Sequence, residues 1–122
     1  MALSFSEDLK NDYWQNRAYL IQSHLAYRLQ DWESSDAWLN KSLPYAEAQE
    51  DQELLATIHT NLGRNAMMRD ELNVALEEFL LALEIEEKRP KGSISGLLSN
   101  IGLVYGSMEQ VAEGLPYLNR AF

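Results

Sequence analysis

Cysteine is missing from this chain of 122 residues, so neither a disulfide nor a thiolate metal site can be built. Prolines number three and glycines six, and β-branched residues are sparse, which leaves little to interrupt helices or to fill strands. No apolar run approaches the roughly 18 residues needed to span a membrane, and Met1–Leu9 has neither the basic start nor the apolar core of a signal peptide. Cations are also few. Ten Lys and Arg stand against nineteen Asp and Glu, and the net charge of −9 argues against nucleic acid or an anionic membrane as partner. What remains is 46% apolar and 24% charged, the balance of a globular domain with a real core. A cytoplasmic protein is expected.

Ala, Leu, Glu, Gln and Arg dominate, no segment alternates apolar and polar residues, and the expected class is all-α. Six helices follow from the periodicity. The first starts near Ser4–Glu7, a capping box, and runs to about Gln30. Trp14, Ala18, Ile21, Leu25 and Leu29 form one apolar face, and Tyr13, Leu20 and Tyr27 a second, so this helix is expected to meet neighbours on two sides. The second helix spans about Trp32 to Glu50, with Trp38, Leu39, Ser42, Leu43 and Ala46 inward and Pro44 expected to kink or divide it. The third covers about Gln52 to Met68 and the fourth about Glu71 to Lys88, ended by Pro90 and Gly92. The fifth covers about Ser93 to Ser107, and the sixth starts near Gln110 and still runs at Phe122.

The chain repeats itself with a period near 40. Ser23, Gly63 and Gly102 share a register, as do Ser35, Ala75 and Gly114, then Leu39, Phe79 and Leu118, then Ser42, Ala82 and Ala121. Small residues recur with small ones and large with large, as stacked helical hairpins require. Within this pattern, His59-x-x-Leu62-Gly63-x-x-Ala66 followed by Ala75-x-x-x-Phe79-x-x-Ala82 resembles a tetratricopeptide (TPR) unit. Leu98-x-x-Ile101-Gly102-x-x-Tyr105 and Gly114-x-x-x-Leu118 repeat the skeleton, whereas the first unit carries Gln22-Ser23 where Leu-Gly is expected. The resemblance covers about Asn16 to Phe122 and is closest to the 40-residue variety found in bacterial regulators. It implies one α-α superhelix, right-handed, of three antiparallel pairs over residues 1–122, with repeats at about 16–55, 56–94 and 95–122. The last unit ends without a polar capping helix, so a fragment of a longer protein is expected, or an end that packs on another copy.

The resemblance also implies a binding scaffold rather than an enzyme, holding an extended segment on the concave side lined by the first helix of each pair. In related repeats the residue before Leu-Gly is often an Asn that pairs with a peptide backbone; here these are Asn61 and Asn100. Arg64 lies one turn beyond Asn61, with His24 as its counterpart in the first unit. Arg17, Tyr27, Arg28, Thr57 and Met67 complete the expected groove. Concentrating scarce cations there would give a positive channel for an acidic or C-terminal segment. The competing reading is that these arginines only pair with acids of neighbouring helices. His59 is expected to be a packed residue, and Glu77, Glu78, Glu84, Glu86 and Glu87 a solvated acidic face. No nucleophile motif, phosphate loop or ligand spacing for a metal occurs, and no cofactor is expected. Two other functions fit the same sequence: a sensory domain preceding an output domain of a bacterial signalling protein, and a self-assembly module that dimerises through the exposed C-terminal helix face.

Overall fold

Good helix formers and regularly placed turn acids produce six α-helices among the described residues. The computed structural model describes residues 5–89 and 94–121, with side chains from residue 12 onward. The helices are α1 (Phe5–Arg28), α2 (Trp32–Ala48), α3 (Gln52–Met68), α4 (Leu72–Glu87), α5 (Ser95–Ser107) and α6 (Val111–Ala121). All six match the expected elements to within a few residues at each end. Ser4, the Pro90–Gly92 stop, Lys91 and Phe122 lie outside the described residues. Pro44 does not divide α2; it is exposed, so the carbonyl its ring leaves without a partner can turn to water.

Four of the connections use one turn. Gln30, Glu50, Asp70 and Glu109 sit in the left-handed region with φ of 62°, 51°, 62° and 60°. In each case the next amide donates back across the helix end: Asp31 to the Ala26 carbonyl at 2.8 Å, Asp51 to Ala46 at 3.0 Å, Glu71 to Ala66 at 2.8 Å and Gln110 to Tyr105 at 2.8 Å. Asp31 and Asp51 then cap the following helix, accepting from the amides of Ser34 at 3.2 Å and Leu54 at 3.1 Å. The Ser34 contact also holds the Asp31 carboxyl below its usual pKa. A three-residue turn reverses the chain, and the pairs α1–α2, α3–α4 and α5–α6 result, with α2 against α3 and α4 against α5 joining them.

Small residues set how closely each pair approaches. A Cβ at Gly63 would stand 2.7 Å from the ring of Phe79, and one at Gly102 would overlap Leu118. Ser23, 3% exposed, holds the same register position in α1 opposite the buried Leu39. One core cluster joins Leu39 and Ala46 to Ile58 and Leu62. A larger one gathers α4 and α5 around Phe79, Leu83, Leu98, Ile101 and Val104. Burying a side chain of Phe or Leu size contributes about 1.5–3 kcal/mol each. Between α2 and α3 the seam is partly polar: the Asn65 amide donates to Ser35 Oγ at 2.9 Å and Asp36 Oδ1 at 2.8 Å, and Arg69 pairs with Asp36 at 2.6 Å.

Two expectations change. Of the two apolar faces of α1, only the side carrying Leu20 and Tyr27 is covered, together with the buried Asn16, Ser23 and Ala26. Trp14, Ile21, Leu25 and Leu29 are 59%, 59%, 52% and 80% exposed, because α2 packs on one side of α1 and no described helix packs on the other. Glu86 departs from the solvated acidic face: it is 7% exposed and paired with Arg89 at 2.5 Å. Register explains it, since forty residues earlier stands the fully buried Ala46. Of the other acids, Glu84 meets Lys88, Glu87 meets Arg120, and Glu78 hydrogen-bonds the packed His59 at 2.7 Å.

Candidate functional site

Spacing alone puts Thr57, Thr60, Asn61 and Arg64 on one stripe of α3, at i, i+3, i+4 and i+7. The stripe forms one wall of an open cleft of about 590 Å³. Asn100 and Leu97 of α5 face it, and Glu86 and Arg89 close it at the end of α4. Asn61 and Asn100, 39 residues apart in sequence and equivalent in register, are therefore brought to the same cleft.

Arg64 is positioned by an aromatic rather than by an acid. Its guanidinium carbon lies 4.5 Å above the ring of Tyr27, which is held edge-on by Trp32 at 5.2 Å. Stacking of this kind contributes about 0.5–1 kcal/mol at an accessible site. It occupies the flat face of the guanidinium and leaves the edge donors for other work. One donor reaches Asn61 Oδ1 at 3.5 Å, and among the described residues Arg64 has no ion pair. The competing reading, pairing with neighbouring acids, describes Arg69 and Arg89 instead.

The cleft is not a uniformly positive channel. Its charged lining is Arg64 and Arg89 against Glu53 and Glu86, two of each sign. Arg89 is committed to Glu86 at 2.5 Å and Glu53 at 3.6 Å. Arg64 is the uncommitted cation of that lining. Thr57 and Thr60 donate their hydroxyl protons to the carbonyls of Glu53 at 3.0 Å and Ala56 at 2.7 Å, so they face the cleft as acceptors.

The remaining expected residues fall in three places. His24 and Tyr27 line a small niche of about 30 Å³ beside Asn61 and Arg64. Arg17, 6.0 Å from the centre of the Tyr13 ring, lines a second cleft of about 370 Å³ that shares Glu53 and Thr57 with the first. Arg28 is exposed on the last turn of α1 and borders none of these clefts. Met67 packs against the larger core cluster and does not line them either. The sequence reading omitted the Glu53–Arg89–Glu86 group. Its signal was present: an i, i+3 acid–base pair whose acid occupies a buried register position.

Among the described residues no cluster of three His, Cys, Asp or Glu could hold a metal ion, and no helix is long and apolar enough to cross a membrane. No protein-family model matches the chain, and no curated protein does. Its backbone is nonetheless similar to the crystal structure of the TPR domain of Arabidopsis FLU, with a TM-score of 0.85 and 14% identity over 90% of this chain and 93% of that one. At that identity the likeness shows the fold alone. The chain has the fold of a tetratricopeptide-repeat domain, three helix pairs stacked in series.

Proposed function

We propose that this protein is a non-enzymatic protein-interaction scaffold whose cleft between α3 and α5 receives an extended peptide segment. The observation that carries the reading is the convergence of Asn61, Asn100 and the stacked, acid-free Arg64 on one open cleft. Each Asn amide offers one donor group and one acceptor, which is what a peptide unit needs to be held along its backbone. Arg64, whose stacking on Tyr27 leaves its edge donors available, supplies a bidentate anchor for a carboxylate. Because Arg89 is neutralised by two acids, the ligand needs one well-placed carboxylate, a side chain or a chain terminus, rather than a run of acids. Arg17 in the adjoining cleft extends the path for a longer segment. A chain of net charge −9 makes a protein a better partner than nucleic acid.

The test is capture on an immobilised peptide library presented with free carboxylate ends and, in parallel, with amidated ends. The intact domain is expected to select a subset that Arg64→Ala weakens by about tenfold, the scale of a charge-assisted hydrogen bond. Asn61→Ala is expected to weaken free and amidated forms alike, with helicity unchanged in both variants. Capture indifferent to both substitutions removes the cleft as the binding site.

A further inference from the structure

The open side of α1 is a stacking face. Register identifies it: Ala18, Gln22, Leu25 and Leu29 of α1 correspond to Ile58, Leu62, Asn65 and Arg69 of α3, and to Leu97, Ile101, Val104 and Met108 of α5. In α3 these positions meet α2, through Ile58 and Leu62 in the core and through Asn65 and Arg69 on Ser35 and Asp36. In α5 they are buried or half-buried in the cluster shared with α4. In α1 the same four positions are exposed.

The far end of the stack offers the counterpart. Asp36 of α2, which receives Asn65 and Arg69, corresponds to Leu76 of α4 and to Leu115 of α6. Trp32 corresponds likewise to Leu72 and Val111. Leu72 and Leu76 pack into the core cluster that holds Val104 and Met108, whereas Val111 and Leu115 are 59% and 48% exposed. The internal seams therefore come in two matched kinds. One is polar, Asp36 with Asn65 and Arg69; the other is apolar, Leu76 with Val104 and Met108. The two exposed outer faces match each other in the second way: Leu115 on α6, Leu25 and Leu29 on α1.

We propose that copies of this chain associate head to tail, α6 of one copy packing on α1 of the next and continuing the solenoid across the junction. The occupant of each exposed face is a second copy. A polar seam on either face would have opposed this, and among the described residues the Asp36–Asn65–Arg69 seam lies inside the stack, between α2 and α3. The contact joins different surfaces, so it is heterologous and not the two-fold pairing of one C-terminal face with itself, and it adds copies without closing. It uses the stacking face of α1, separate from Arg64 and Asn61, and stands whether or not the cleft binds peptide.

Sedimentation velocity on the full chain tests this directly, beside two variants at exposed positions, Leu25→Glu and Leu115→Glu. The native chain is expected to grow beyond its 14.0 kDa mass as concentration rises. Each variant alone, lacking one end, is expected to be monomeric with native helicity. Mixed together, they retain one good head and one good tail and should form a heterodimer and nothing larger. That recovery also shows that both variants are folded. A native chain that stays monomeric to millimolar concentration overturns the proposal. So does either variant alone remaining dimeric, which would mean pairing of like ends, or a mixture that forms no heterodimer.

Discussion

Gly63 of α3 lies against the ring of Phe79 on α4 so closely that a Cβ would stand 2.7 Å from two ring carbons. Phe79 is fully buried, and the larger core cluster surrounds it, so the ring has no free volume to move into. Gly63→Ala improves helix propensity by about 1 kcal/mol but overpacks the seam by about 1–3 kcal/mol. The expected result is a net loss near 1 kcal/mol in urea unfolding with an unchanged m-value. A variant as stable as the parent would show that the pair can separate at little cost.

Asp36 ties α2 to α3 through Asn65 and Arg69, at 2.8 and 2.6 Å. Asp36→Leu takes one acceptor from each of two buried or half-buried donor groups, leaving Asn65 with Ser35 and Arg69 with Glu71, and should lower stability by about 1–3 kcal/mol. Replacing all three as Asp36→Leu, Asn65→Val and Arg69→Met installs the residues of the second seam, Leu76, Val104 and Met108. That triple variant is expected to return to within about 1 kcal/mol of the parent, because a well-packed apolar set can replace a buried ionic one. Urea midpoints of the single and triple variants decide it; a triple no more stable than the single would mean that the two seams are not equivalent.

The fold was legible because close packing writes itself into residue size. Ser23, Gly63 and Gly102 recur where Leu39, Phe79 and Leu118 press in, and that correlation survives when everything on the surface differs. Surface roles were less legible. Met67 stands three residues after Arg64 on α3, and sequence spacing cannot tell the last groove position from the first core position. Arg89 stands in the basic stretch Lys88-Arg89-Pro90-Lys91, and nothing local in that sequence shows that it folds back on Glu86 and Glu53. Trp14, Leu25 and Leu29 carry the pattern of a covered face, and periodicity reports an apolar stripe without reporting what covers it. The turns were hidden for a different reason: a left-handed residue is normally announced by glycine, and none of the four is glycine.

Those turns can be improved. Gln30, Glu50, Asp70 and Glu109 all hold φ between 51° and 62°. A left-handed conformation costs a residue with a Cβ about 1–2 kcal/mol, while glycine loses about 0.5–1 kcal/mol more backbone entropy on folding. Gln30→Gly and Glu109→Gly are therefore expected to raise stability by about 0.5–1 kcal/mol each by the same difference. Asp70→Gly should gain less, since Asp enters this region more readily than Gln or Glu. Thermal unfolding of the three variants gives the order, and an Asp70 gain as large as that at Gln30 would contradict it.

Alkaline pH should act on the last helix pair. Tyr105 stacks on Tyr117 with ring centres 5.7 Å apart, and its phenol pKa is raised above 10, first by burial and then by Tyr117 and Glu113. Below pH 10 both folded and unfolded chains keep this phenol neutral, and its environment costs nothing. Above pH 10 the unfolded chain releases the proton first, so the unfolded state binds fewer protons and stability falls with rising pH until the folded phenol also ionises. Tyr105→Phe removes that difference while keeping the stacked ring. Urea midpoints at about pH 8 and about pH 10.5 should converge more closely for Tyr105→Phe than for the parent chain. The comparison between the two proteins cancels the contribution of the other tyrosines and of the lysines. An equal alkaline loss in both would mean that the phenol of Tyr105 titrates in the folded domain as it does in the unfolded chain.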